Sequence, residues 1–100
     1  LMDDDEFVVS VVEAFRDDIP ARMQELERHL ETGDAEAARA VAHTIKGVAA
    51  NVSAEALRET AAEIETAAKA GDLEPARSHW PTLKARFDAL MSAMGAYLAN

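Results

Sequence analysis

The stretch Ala42-His43-Thr44-Ile45-Lys46-Gly47 lies near the middle of the 100-residue chain and decides the fold prediction. Around it, apolar residues recur at spacings of four, three and four, which is the pattern of one face of an α-helix. With roughly 100° of rotation per residue, His43 falls about 170° from the mean direction of that face. The imidazole is therefore predicted to point to solvent. The apolar residues of the run are Val41, Ile45, Val48 and Val52, and the outer face carries Arg39, Lys46, Gly47 and Ala50 beside His43.

Gly47 is unusual in this helix, because glycine costs about 1 kcal/mol relative to alanine in a helix interior. The apolar pattern continues beyond it, so a helix end does not explain the residue. Helical side chains lean toward the N-terminus, and the residue four positions after His43 lies over it. A glycine there leaves the imidazole uncovered, while Lys46 brings a positive charge near the ring. An exposed histidine is usually only solvated, but this combination, with the small neighbour Ala40, indicates a surface where a partner delivers an anionic group.

The composition favours one small helical domain spanning residues 1–100. Apolar residues make up 49% of the chain but only five residues are aromatic, and abundant alanine suits closely packed helices. The net charge of −9 disfavours nucleic-acid binding, because phosphate contacts need clustered Lys and Arg. The lack of cysteine excludes disulfides and thiolate metal sites and suits a reducing compartment. No apolar run reaches transmembrane length, so we expect a soluble cytoplasmic domain without membrane insertion.

The apolar stripes predict an antiparallel four-helix bundle with a short additional N-terminal helix. That short helix would be capped by the acids of residues 3–6. It would end at Asp17-Asp18-Ile19-Pro20, since proline disfavours the helical conformation in the residue before it and suits the start of a new helix. We also expect a kink or short break near His79-Trp80, because Pro81 removes a backbone hydrogen bond and clashes with the preceding turn.

The junctions between the bundle helices carry helix-ending residues. Gly33-Asp34 and Gly71-Asp72 repeat one pattern, in which glycine supplies a left-handed C-terminal cap and aspartate caps the next helix. Between them, Asn51-Val52-Ser53 predicts a bend with Ser53 as the next cap. His29 lies beside an apolar stripe and is interpreted as a boundary residue without chemistry.

The stretch from His43 to Gly47 resembles the His-x-x-Lys-Gly signature of histidine phosphotransfer (HPt) domains of bacterial phosphorelays. The helix pattern, the Gly-Asp junctions and the Asn51 bend also look like that family, across nearly all of the chain. One departure is Ser53, where the family often has a glycine. The resemblance implies an all-α bundle that carries a phosphoryl group on a histidine.

For this chain the resemblance implies that His43 takes the phosphoryl group from the aspartate of a response-regulator receiver domain and passes it to another receiver. The receiver would supply both the aspartate and the magnesium ion, in a pathway that also contains a histidine kinase. Lys46 and Arg39 would screen the new charge. No Gly-rich phosphate loop or Walker lysine occurs, so we expect a carrier without a cofactor, a metal or a kinase active site of its own. The expected docking residues are Arg39, Ala40, Gly47 and Ala50.

Other classes stay open at this point. The phosphoacceptor domain of a chemotaxis-type histidine kinase shares the His-x-x-Lys-Gly pattern, and a hybrid sensor kinase could contain such a domain. A non-catalytic helical interaction domain explains the stripes but not Gly47. A di-iron or zinc bundle would show Glu-x-x-His or His-Glu-x-x-His, and neither occurs. A dimerisation-type kinase domain usually shows His-Glu and a downstream proline, which His43-Thr44 lacks.

Overall fold

The computed structural model describes residues 4–99, which form four helices: α1 (Asp4–Thr32), α2 (Ala35–Asn51), α3 (Glu55–Lys69) and α4 (Leu73–Ala99). The connections are only two or three residues long, so consecutive helices lie antiparallel. The bundle measures 46 × 23 × 20 Å. The predicted all-α bundle is confirmed. The cap expected from Asp3 lies outside the described residues.

The predicted apolar stripes meet in one core. Val41 and Ile45 of α2 are buried, while Val48 and Val52 are half-buried and pack against the core edge. α3 contributes small residues, which bring it close to α2 and α4. Burying an aliphatic side chain contributes about 1.5–3 kcal/mol to stability. Burial of these stripes therefore stabilises the helices more than their modest intrinsic propensities do. The fully buried large side chains are Phe15, Ile19, Leu26, Ile45, Leu57, Ile64 and Leu83.

The predicted break at Pro20 is wrong, because α1 is continuous from Asp4 to Thr32. The segment expected to form a separate N-terminal helix is the first half of α1. Phe15, Ile19 and Met23 are all buried on the same face, on both sides of Pro20. Their burial offsets the cost of a proline in a helix interior, about 3 kcal/mol for the lost backbone hydrogen bond and the clash of the ring with the preceding turn.

The predicted break near His79-Trp80 is also wrong, because α4 runs without interruption from Leu73 to Ala99 and contains Pro81. Pro81 is exposed, so its ring does not disturb the core. The fully buried Ala76 and Leu83 anchor the helix on either side of it.

Both Gly-Asp junctions have the predicted conformation. Gly33 and Gly71 have φ of 82°, a left-handed conformation that glycine adopts without a steric penalty. The Asp34 carboxylate accepts a hydrogen bond of 3.1 Å from the backbone N–H of Ala37, which makes it the N-cap of α2. The Asp72 carboxylate accepts one from Glu74 at the start of α4.

The bend between α2 and α3 has the hydrogen bonds of a Schellman motif. The Ala54 N–H donates to the Ala49 carbonyl at 2.9 Å, and the Ser53 N–H donates to the Ala50 carbonyl at 3.1 Å. Ser53 occupies the left-handed position of the motif, with φ of 57°. The predicted capping role of Ser53 is wrong, because Ala54 is the N-cap of α3 and makes no side-chain cap. Ser53 therefore stands where glycine is favoured.

The N-terminal half of α1 and the end of α4 extend past this bend, since these helices have 29 and 27 residues and α2 and α3 have 17 and 15. On this part of α1, Phe7 is 59% exposed and Val8 is also exposed. A groove of about 510 Å³ lies between this part of α1 and the end of α2. Among the described residues, no helix combines the length and apolar character needed to cross a membrane.

Candidate functional site

His43 lies on the solvent side of α2, as the phase of the stripe predicts. Its side chain is 62% exposed, whereas its neighbours Ala42 and Ile45 on the inner side are fully buried. The core contacts of these neighbours fix the rotation of α2 and so hold His43 outward. The position of His43 is thus a consequence of packing on the opposite face of the helix.

The structure adds a residue that the sequence analysis missed, Glu65 of α3. Its Oε2 atom lies 2.7 Å from His43 Nδ1, and its Oε1 atom lies 2.7 Å from Lys46 Nζ. One carboxylate thus bridges two residues of the His-x-x-Lys-Gly stretch from the neighbouring helix. The Glu65 side chain is only 16% exposed, so it lies beneath the more exposed imidazole.

Glu65 is ionised at neutral pH. Burial acts to raise its pKa, but the hydrogen bonds from Lys46 and His43, together with their positive charges, outweigh burial and lower the pKa below the ordinary value. An ionised carboxylate only accepts hydrogen bonds, so the Nδ1 atom of His43 must donate. In the neutral ring the lone pair is then on Nε2.

Lys46 lies near His43, as the spacing of three residues predicts, and both side chains contact the Glu65 carboxylate. The Lys46 side chain is 32% exposed, and its ammonium group offsets the carboxylate charge under the ring. Arg39 is placed differently: its guanidinium makes a two-point contact with Glu36, with nitrogen–oxygen distances of 2.7 and 3.0 Å. That contact raises the pKa of Arg39 through hydrogen bonding and charge, with a smaller contribution from the charge of Glu65.

Small residues flank the imidazole on the outer surface of α2. Ala40, Gly47 and Ala50 are exposed. A Cβ atom built on Gly47 would meet no atom within 4 Å outside the backbone of its own helix. Gly47 has no positive φ, so neither crowding nor backbone conformation requires a glycine at this position.

The other two histidines lie elsewhere. His29 is half-buried near the end of α1, where its backbone carbonyl accepts hydrogen bonds from Gly33 and Asp34. His79 of α4 pairs with Glu63 of α3, with 3.0 Å between Nδ1 and Oε2. Among residues 4–99, no group of three or more acidic, histidine or cysteine side chains is arranged to hold a metal ion.

Residues 10–93 match the model of the Hpt domain family. The match covers well over half of the chain, so the chain belongs to the Hpt domain family. Comparisons with curated proteins and with solved structures return no match.

Members of this family carry phosphoryl groups on histidine in phosphorelays, exchange them with receiver domains and lack kinase activity of their own. A phosphoryl carrier needs an accessible histidine nitrogen with a lone pair, and histidine is a competent nucleophile near neutral pH. The exposed His43 with its free Nε2 meets that requirement.

Proposed function

We propose that this chain, as one domain over residues 1–100, accepts a phosphoryl group on His43 from the aspartyl phosphate of one receiver and passes it to another. The main support is the exposed imidazole, whose Nδ1 is held by Glu65, so that the lone pair of the neutral ring is on Nε2. The relay would operate in the cytoplasm, where a histidine kinase would phosphorylate the first receiver.

In the uptake step, the lone pair of Nε2 attacks phosphorus. The nitrogen–phosphorus bond forms as the bond between phosphorus and the aspartyl oxygen breaks, and the electron pair of that bond leaves with the aspartate carboxylate. The receiver would supply the magnesium ion that holds the phosphoryl oxygens, and this chain would contribute no cofactor or kinase site. Transfer to the next receiver reverses these changes on a new aspartate.

The docking surface in this proposal is the outer face of α2: Arg39, Ala40, Gly47 and Ala50. The exposed small residues let a receiver bring its aspartate close to the ring without displacing side chains. Lys46 would screen the phosphoryl charge after transfer, by extending from Glu65. Arg39 lies one turn before His43 and would contribute from its contact with Glu36.

The test is acid-labile, alkali-stable labelling of the chain by a phosphorylated receiver. His43→Gln should fold normally, because the position is exposed, and should lose all labelling. His29→Gln and His79→Gln are matched controls that should keep it. Retained labelling in the His43 variant, or lost labelling in either control, contradicts the assignment.

Comparing two phosphoryl donors, a receiver and a histidine-kinase catalytic domain, distinguishes the proposed carrier from a kinase phosphoacceptor domain. A receiver donor should label the parent chain in the absence of ATP. If only a histidine-kinase catalytic domain with ATP labels it, and no receiver does, the chain is instead a kinase phosphoacceptor domain.

A further inference from the structure

Carboxylates pair with both of the cations that flank His43 on α2. Lys46 Nζ lies 2.7 Å from a carboxylate oxygen of Glu65. Arg39 donates to Glu36 through Nη2 at 2.7 Å and through Nε at 3.0 Å. The Glu36 side chain is 77% exposed, so this second pair lies at the surface. Before phosphorylation, each positive charge beside the ring is therefore already balanced by a neighbouring carboxylate.

Arg39 lies one helical turn before His43, on the same side of α2. Four residues advance a helix by about 6 Å and rotate it by about 40° beyond a full turn. Helical side chains lean toward the N-terminus, so the imidazole leans over the turn that carries Arg39. A phosphoryl group on this ring would lie within reach of the guanidinium, but the contact with Glu36 draws the guanidinium toward the preceding turn. Glu36 and the phosphoryl group would therefore compete for one cation.

We infer that Glu36 is a positioning residue for phosphoryl transfer: it holds Arg39 back from the phosphohistidine and so favours release of the phosphoryl group to the next receiver. This inference rests on the proposed function. A guanidinium binds phosphoryl oxygens in the same two-point geometry as a carboxylate, so a free Arg39 would stabilise the phosphorylated chain. Uptake exchanges the phosphorus–oxygen bond of the aspartyl phosphate for the nitrogen–phosphorus bond, and release exchanges it back. Glu36 changes only the balance between these two directions.

The charges around Arg39 support this role. The pKa of Arg39 is raised mainly by its hydrogen bond to Glu36 and by the charge of that carboxylate, and the charge of Glu65 adds a smaller contribution. Arg39 is thus close enough to the carboxylate beneath His43 for their charges to interact. When Lys46 extends from Glu65 to a phosphoryl group, the unpaired Glu65 would attract Arg39 toward the ring. The contact with Glu36 opposes that movement.

α3 offers a matched control for substitution of Glu36. Glu55 lies in the first turn of α3, as Glu36 does in α2. It contacts Arg58, three residues later, through the same two nitrogens, Nε and Nη2. Arg58 lies two turns from Glu65 toward the α2–α3 bend, whereas the imidazole of His43 leans away from that bend. Glu55→Gln therefore removes the same kind of contact and the same first-turn charge without freeing a cation beside the ring.

The first measurement is the ratio of the uptake rate to the onward-transfer rate with one receiver, phosphorylated by acetyl phosphate in the presence of magnesium. In Glu36→Gln this ratio should rise about two- to fivefold, the range expected for an exposed charge contact. Glu55→Gln should keep the parent ratio. The double variant Glu36→Gln, Arg39→Gln should have the same ratio as Arg39→Gln alone, because the effect of Glu36 acts through the guanidinium. Melting curves of all variants should show cooperative unfolding, with similar shifts in Glu36→Gln and Glu55→Gln.

The second measurement is NMR of the arginine Nε–H groups before and after phosphorylation of the chain. Phosphorylation should shift the Arg39 signal more in Glu36→Gln than in the parent, because the guanidinium is then free to move to the phosphoryl group. The Arg58 signal should stay in place in both proteins. A purely structural role for Glu36 would not produce this difference.

Several results would overturn the inference while leaving His43 as the acceptor. These are an unchanged or lower ratio in Glu36→Gln, an equal rise in Glu55→Gln, and a rise that persists in the absence of Arg39. An Arg39 signal that responds equally in the variant and the parent has the same consequence. Loss of cooperative melting in Glu36→Gln would assign the residue to folding and also overturn it. If no receiver labels the parent chain, the proposed function fails and this role fails with it.

Discussion

Replacing Gly47 should separate the stability of the fold from the rate of phosphoryl transfer. A Cβ atom there meets nothing within 4 Å beyond its own helix backbone, and the residue has no positive φ. Gly47→Ala therefore gains the helix-propensity difference of about 1 kcal/mol, with no clash to offset it. For a domain of this size, that gain raises the melting temperature by roughly 4–8 °C. Gly47→Gln gains somewhat less, because glutamine has a lower helix propensity than alanine.

Transfer should change in the opposite direction. The glutamine side chain leans toward the N-terminus over His43, where it obstructs an approaching aspartyl phosphate. Gly47→Gln should therefore cut the transfer rate sharply. The transfer rate of Gly47→Ala should lie between those of Gly47→Gln and the parent. Thermal melts and transfer kinetics with one receiver measure the two effects on the same preparations.

Gly95→Ala is the matched control, since its Cβ would make only an ordinary contact, 3.5 Å from Arg16 Nη2. It should transfer at the parent rate whatever its effect on melting. If Gly47→Gln melts higher and transfers at the parent rate, the glycine does not serve to uncover His43. If Gly47→Gln unfolds the domain, the glycine is structural and the reasoning from open space is refuted.

Three further predictions concern charge, backbone strain and pH. Lys46→Ala should slow transfer about five- to tenfold at low salt, because it removes a charge contributing about 1 kcal/mol. The difference in rate between the variant and the parent should shrink at higher salt, which screens the charge. Equal rates at low salt would contradict an electrostatic role for Lys46. Ser53→Gly should stabilise the fold by about 0.5–1 kcal/mol in chemical denaturation, because φ of 57° strains a residue with a side chain, and a destabilised variant would refute that reading. The lowered pKa of Glu65 means that its ionised form stabilises the fold above the unfolded carboxyl pKa, and that this contribution disappears as pH falls through the lower folded pKa. The unfolding free energy of Glu65→Gln should therefore lie below the parent's at pH 6–7 and converge with it below about pH 4, and a constant gap would show that ionisation of Glu65 has no part in it.

The helix stripes and Gly-Asp junctions could be read from the sequence because they depend on neighbours three or four residues away. Gly33 and Gly71 adopt the predicted left-handed conformation, and Asp34 makes the predicted cap. The two predicted breaks at prolines failed for a non-local reason. Burial of Ile19 beside Pro20, and of Leu83 beside Pro81, stabilises both helices through tertiary contacts that local propensity does not contain.

In the candidate site, too, local sequence determines some features and tertiary packing determines others. The exposure of His43 follows from the phase of its own helix, but Glu65 depends on how α3 packs against α2. α3 contains four glutamates, and only packing distinguishes the one that reaches the ring. A signal was available: Glu65 lies four residues after Ala61 and three before Ala68, both buried. It therefore borders the apolar stripe, whereas Glu63 points outward.

The most direct test of the central claim is to map the phosphorylated residue in the parent chain. The protein would be labelled by a phosphorylated receiver, kept at alkaline pH, and analysed by fragmentation mass spectrometry together with phosphorus–proton correlation NMR. The account predicts one phosphoryl group per chain, on Nε2 of His43. A group on His29, on His79 or on an acidic side chain would contradict it.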